Sequence, residues 1–153
     1  MASIREQIMA AIETRLGTIS IANGYNNDIR EVFRYTQDPS SLEKLPAIGI
    51  RRKTEATGFK YNEHVDKDLT IDITAFAHHP ENTDGSSETI SDSLIEDIEV
   101  AIAQDEEWST LAMATDVLDW EDFPTEDGQA LIGATLTMVI RYRHRIDNPA
   151  LKV

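Results

Sequence analysis

Residues 67–79 read KDLTIDITAFAHH, and residues 86–104, beyond the turn-forming PENTDG of 80–85, read SSETISDSLIEDIEVAIAQ. In the first segment Leu69, Ile71, Ile73, Ala75 and Ala77 alternate with Thr70, Asp72, Thr74 and His78, the period-two pattern of a half-buried strand. In the second, Ile90, Leu94, Ile98, Ala101 and Ile102 recur at helical spacing with Ile95 beside them, forming one stripe that can lie on the strand's apolar face. The other side of that helix carries Glu88, Asp92, Glu96, Asp97 and Glu99, expected to form an acidic, solvent-facing surface. The remaining elements are expected to pack onto this pair, which defines an architecture and no reaction.

Toward the C-terminus, a strand is predicted from Met113 to Trp120, with Pro124 and Asp127-Gly128 making the turn into a last, longer strand. Ala130, Ile132, Ala134, Leu136, Met138, Ile140 and Tyr142 share one face of that strand, and Gln129, Thr135, Thr137, Arg141 and Arg143 the other. The end of the chain, RYRHRIDNPALKV from Arg141, is read as leaving as a basic tail, with residues 146–153 as the C-terminal tail and Pro149 ending regular structure. Toward the N-terminus, Ser3-Ile4-Arg5-Glu6 has the form of a capping box. It opens a helix over 4–16 whose stripe is Ile4, Ile8, Ala11, Ile12 and Leu16, with Gly17 placed to end it in the left-handed conformation. Residues 23–28, NGYNND, read as a loop, and 29–36, IREVFRYT, as a strand.

QDPSSLEKLP, 37–46, is a loop with room for one helical turn over 40–45, and AIGIRRK, 47–53, is a short strand whose charged end leaves the domain. Residues 53–66 have no sustained period and read as an extended hairpin with its tip near Gly58 or as a mobile loop. Phe59 and Tyr61 stand out there, two aromatics in a polar stretch. The sum is a single α+β domain, a mixed, largely antiparallel sheet of about five strands with two main helices on one face.

A chain of 153 residues can bury a sizeable core without staples, and it has no cysteine, hence no disulfide, thiolate metal site or thiol nucleophile. No apolar run approaches the ~18 residues that span a bilayer, so membrane insertion is not expected. The net charge is -14, and its distribution is uneven: from Asp68 to Ile140 there are 18 of the 28 acidic residues and no Lys or Arg. The rest of the chain holds all 14 basic and 10 acidic residues, giving a balance of +4 against -18. A phosphate-backbone footprint needs clustered bases, so direct nucleic-acid binding is disfavoured.

Catalytic patterns are weak. Gly24 has no Gly-x-Gly or Gly-Lys-Ser context for a phosphate cradle. His78 and His79 are adjacent on a strand and point to opposite faces, which does not suit one metal ion. DWEDFPTED, 119–127, lacks the order of an EF-hand loop. No Gly-x-Ser-x-Gly elbow exists, and carboxylates are too numerous for any pair to stand out. No catalytic activity is expected.

SIREQIMAAIETRLGTI, NGYNNDIREVFRY, LPAIGIRRK, the long alternating strand, the single acidic helix and GATLTMVIRYRH, in that order over nearly the whole chain, resemble the tail terminator, or tail-completion, proteins of long-tailed bacteriophages. The resemblance implies a cofactor-free protein that closes the growing tail tube as a hexameric ring, ends its polymerisation and offers the other face to the head. It implies the tail-tube protein and a head-neck connector protein as partners, and DNA as cargo passing an acidic wall. The virion tail would be its location, after assembly in the host cytoplasm. By the same resemblance Arg51, Arg52, Lys53, Phe59, Lys60, Tyr61, Arg141, Arg143 and Arg145 are expected contacts to neighbouring subunits or tube. A head-completion or connector protein of the neck is the nearest alternative; an acidic inhibitor that mimics DNA is the alternative from another class.

Overall fold

Two long strands, β3 (His64–His78) and β5 (Leu131–Arg145), run antiparallel in unbroken register from His64 opposite Arg145 to His78 opposite Leu131. The computed structural model describes residues 2–34, 44–78, 87–122 and 131–152. Around the central pair lie β1 (Glu31–Arg34), β2 (Ala47–Lys60) and β4 (Ala114–Asp122), in the sheet order β1-β2-β3-β5-β4. The β1–β2 pairing is parallel and the others are antiparallel. Helices α1 (Ile4–Leu16) and α2 (Ser87–Ala103) pack on one face, which makes the fold α+β with a mixed sheet, as the sequence pattern predicts.

The alternation explains the core. Leu69, Ile71, Ile73 and Ala75 of β3 and Ile132, Ala134, Leu136, Met138, Ile140 and Tyr142 of β5 are buried against Ile4, Ile8, Met9, Ile12 and Leu16 of α1 and Leu94, Ile95, Ile98, Ala101 and Ile102 of α2. At about 2 kcal/mol for each fully buried large aliphatic side chain, this layer outweighs every surface charge pair described below. Phe76 is out of phase with Ala75 and Ala77 and packs with Phe33, Leu45 and Ala47 in a small second cluster, its ring 6.2 Å from that of Phe33.

Several expectations are corrected. β2 does not stop at Lys53; it continues to Lys60, and residues 61–63 make the turn into β3, closed by the Tyr61 amide donating to the His64 carbonyl at 2.8 Å. The hairpin tip is therefore Tyr61 to Glu63, and Gly58 lies inside the strand, where the register slips between Thr57 and Phe59. β1 spans Glu31–Arg34, so Ile29 and Arg30 of the predicted 29–36 strand fall before it; its residues 35–36, most of the helical turn at 40–45, the PENTDG turn, and the Pro124 and Asp127-Gly128 turn lie outside the described residues. β4 is shifted slightly, to Ala114–Asp122.

At α1 the Ser3 hydroxyl accepts the Glu6 amide at 3.1 Å, but the Glu6 carboxylate takes the Arg34 guanidinium, so one half of the capping box is present. Gly17 ends the helix in the right-handed region, φ -67°, and among the described residues the left-handed glycine is Gly24 at φ 92°. The C-terminal segment does not depart either. The Ile4 amide, which has no partner within the first turn of its own helix, donates to the Pro149 carbonyl at 2.9 Å, while Ile146 and Arg145 donate to Glu63 and Leu151.

Candidate assembly surfaces

Beyond the rows that β1 covers, the sheet continues as a ribbon made of the ends of β2, β3 and β5, with β4 alongside as far as Ala114 opposite Arg141 and three strands past that row. In β2 every residue from Arg51 to Lys60 except Glu55 is exposed, which is why the sequence there shows no alternation. On the helix-free face of the ribbon Asp66 lies directly opposite Arg143, and Asp68 opposite Arg141. Arg143 donates through Nε and Nη2 to both oxygens of Asp66 at 2.6 and 3.2 Å, and Arg141 Nε donates to Asp68 at 2.9 Å. Thr137 donates to Asp72 four residues further along β3, past the Thr70–Val139 pair.

Asp66 is 7% exposed, and the Arg143 fork holds its carboxyl below the usual carboxylate range even though burial pushes the other way. The Arg141 pair is exposed and solvent-screened, so it contributes little to stability. Arg145 pairs with Asp147 two residues on. Of the five arginines expected to reach neighbouring subunits, Arg141, Arg143 and Arg145 are thus each engaged within their own chain. At the ribbon's tip Phe59, 59% exposed, sits 4.5 Å from Tyr61; the Tyr61 ring lies 4.2 Å from His64 and 5.0 Å from the Arg143 guanidinium. Phe59, Lys60, Tyr61, Arg143 and Arg145 gather at this end, whereas Arg51, Arg52 and Lys53 lie further back along β2.

On the ribbon's helix side Glu55 accepts from Arg5 at 2.5 Å and from the Tyr142 hydroxyl. Burial, then the Glu55 carboxylate, push the Tyr142 hydroxyl far above its ordinary pKa, so it is a fixed donor at neutral pH. A shallow cleft of about 500 Å³ opens here, lined by Arg5, Glu55, Lys60, Lys67 and His144 among others. Lys67 in that cleft is turned to Thr57 at 2.9 Å.

The acidic block divides into three. Glu88, Asp92, Glu96 and Glu99 line the outer side of α2, exposed as expected. Asp97 is the correction: it is 2% exposed, and its carboxylate accepts the Asn26 amide, the Asn27 amide and the Asn27 side-chain amide, each at 2.9 Å. It ties α2 to the Asn-rich loop after α1. The third part is β4, whose Asp116, Asp119, Glu121 and Asp122 are exposed together with Val117, Leu118 and Trp120. Among the described residues β4 is an outer strand of the sheet; its register slips between Val117 and Asp119, and Leu118 there is 59% exposed.

The sequence does not single out β4 as a surface, nor the corner before it. There Trp108 is 0% exposed and donates from Nε1 to Thr115 at 2.9 Å, with the Arg15 guanidinium 4.3 Å from its ring. Among the described residues no three His, Asp or Glu side chains gather as a metal site. His78 is exposed at the end of β3, and His79 and the end of the DWEDFPTED loop lie outside the described residues.

No family model matches the chain, and no curated protein matches it. Among solved structures, a chain described as "Virion of native gene transfer agent (GTA) particle" is similar over 92% of this chain and 92% of its own, at 10% identity and a TM-score of 0.39. A likeness that distant does not bear on function.

Proposed function

We propose that this chain is a structural protein of a long-tailed phage or phage-like particle, one that closes the growing end of a tail tube as a hexameric ring, ends tube polymerisation and presents its other face for attachment to the head. It works by assembly, without catalysis, cofactor or membrane, and DNA passes it as cargo. The observation that carries the reading is the ribbon: a chain with a complete core still exposes Phe59 and Tyr61 beside Lys60, Arg143 and Arg145 at one end of its sheet. Large apolar side chains gathered outside a satisfied core suit a protein partner.

The outer acids of α2 fit the same reading. Glu88, Asp92, Glu96 and Glu99 present one sign of charge on one helix face, and such a face repels a polyanion that must move past without sticking. The order of segments, which resembles tail terminators, supplies the tube and the ring size.

Light scattering on the protein alone, and then with the cognate tail-tube protein, tests this. A hexamer-sized species, or a monomer that becomes ring-sized with tube protein, is the expected result. A monomer indifferent to tube protein overturns it and favours the acidic inhibitor.

A further inference from the structure

Among the described residues the sheet has two long open edges, and their chemistry is opposite. On one side, β4 from Ala114 to Asp122 pairs with β5 and, among the described residues, with no strand beyond it. It carries Asp116, Asp119, Glu121 and Asp122 and no Lys or Arg. On the other side β1 pairs with β2 only over Ala47 to Ile50, so β2 from Arg52 to Lys60 has β3 on one side and, among the described residues, no strand on the other. That stretch carries Arg52, Lys53 and Lys60, and its one carboxylate, Glu55, is taken by Arg5 and Tyr142.

We infer that copies of this chain join by antiparallel pairing of β4 of one copy with the Arg52–Lys60 stretch of β2 of the next, continuing one sheet from subunit to subunit. The inference rests on the ring reading for its closure, but the interface itself stands on these edges. Strand direction fits without adjustment. β2 and β5 run one way and β3 and β4 the other, so copies set side by side in the same orientation place β4 antiparallel to the neighbour's β2.

Charge selects this arrangement over its competitors. An open edge is a template for any strand. Pairing β4 with β4 sets four carboxylates against four, and pairing β2 with β2 sets lysines and arginines against their like, both unfavourable when directly opposite. The heterotypic pairing sets opposite signs together and brings exposed Val117, Leu118 and Trp120 to the edge that carries Phe59. A two-fold dimer uses the same surface on both copies, whereas two different surfaces generate a ring or a filament. The free stretch of β2 lies toward the hairpin tip, and β4 lies opposite Ala134 to Arg141 of β5. The paired edges are therefore offset along the strands, the stagger that a closed ring of strands needs.

The absence of cysteine makes the test direct. One set of variants places a cysteine on β4 (Ala114→Cys, Leu118→Cys, Glu121→Cys) and another on β2 (Thr54→Cys, Ala56→Cys, Thr57→Cys). Each β4 variant is mixed with each β2 variant under oxidising conditions, first alone and, if the chain is then monomeric by light scattering, with tail-tube protein. The expected result is disulfide-linked dimers in β4-plus-β2 mixtures of at least one register and none in β4-only or β2-only samples. Asp116→Lys/Asp119→Lys should weaken association roughly tenfold or more, as should Arg52→Glu/Lys53→Glu, and mixing the two should restore it.

Oligomers without a β4–β2 crosslink, or with crosslinks within one set, overturn this interface and leave the ring reading standing. Crosslinked oligomers indifferent to tube protein keep the interface and remove the tube-capping function. A monomer under both conditions overturns both, with the charges and bulges then serving to blunt the edges.

Discussion

Asp97 Oδ1 accepts the Asn26 amide at 2.9 Å across 71 positions of sequence, while Oδ2 of the same carboxylate takes Asn27. A charge buried in the middle of a helix costs free energy unless donors surround it. Here two backbone amides and one side-chain amide do so, and together they fix the loop that separates α1 from β1.

Removing that carboxylate strands the amides. Asp97→Ala is expected to destabilise the fold by about 3 kcal/mol, since hydrogen bonds to a charged group contribute about 1.5–3 kcal/mol and the orphaned donors stay buried. Asp97→Asn should cost less, because its oxygen still accepts one amide. Glu96→Gln, one position away and exposed, should change the urea midpoint hardly at all. Equal effects at the two positions would mean that Asp97 is just another surface acid.

Asp66 gives a pH dependence with a definite sign. Its carboxyl is held below its ordinary value of 3.8, first by the hydrogen bond from Arg143, against the opposing effect of burial. A lowered folded-state pKa contributes stability that is complete above the unfolded value and is lost as pH falls through the folded one. The urea midpoint of the wild type should therefore exceed that of Asp66→Asn above about pH 4, and the gap should close as acid protonates the carboxylate. A gap that persists unchanged at pH 2 would show that Asp66 acts through shape and not through charge.

The elements whose side chains alternate between core and water were legible: Leu69 to Ala77, Ile132 to Tyr142, and the Ile90 to Ile102 stripe each predict their own burial. The ribbon was not, because β2 beyond Ile50 is wet on both faces and leaves no period to read. Its strand character comes from pairing with Val65 to Ile71, residues whose own alternation gives no hint of how far a neighbour extends. Asp97 was misassigned for a different reason. Its position three after Leu94 and four before Ala101 lies within the apolar stripe, which was the available signal, but in a helix so acidic one more carboxylate did not stand out. The β4 edge was illegible because openness depends on where β4 falls in the sheet order, and no local pattern carries that.

Trp108, Ser109 and Thr110 hold φ of 52°, 60° and 67° in succession. The left-handed region costs an L-residue roughly 1–2 kcal/mol, and a β-branched side chain suits it least. The buried Trp108 ring and the Asp105 carboxylate, which accepts the Ser109 amide at 2.7 Å, hold the turn in place. Thr110 is exposed, so Thr110→Gly removes strain without opening a cavity. It should raise stability by about 1 kcal/mol, offset in part by the freer unfolded chain. Thermal unfolding checks the sign, and a lowered Tm would mean that the threonine side chain itself secures the corner.

The two tryptophans differ so much in exposure that they report on different events. Trp108 is fully buried, with its indole N–H on Thr115, while Trp120 is 42% exposed on β4. In the native monomer acrylamide should quench Trp120 and spare Trp108, and unfolding should make both accessible. Trp108→Phe isolates Trp120, at the cost of one buried hydrogen bond, about 1 kcal/mol. If β4 becomes an interior strand on assembly, the Trp120 emission in that variant should shift to the blue and lose most of its quenching as concentration rises, in step with the mass measured by scattering. An assembled species in which Trp120 remains fully quenchable would place the contact elsewhere. Because Trp120 lies across the sheet from the hairpin tip, an interface confined to Phe59 and Tyr61 would leave it wet.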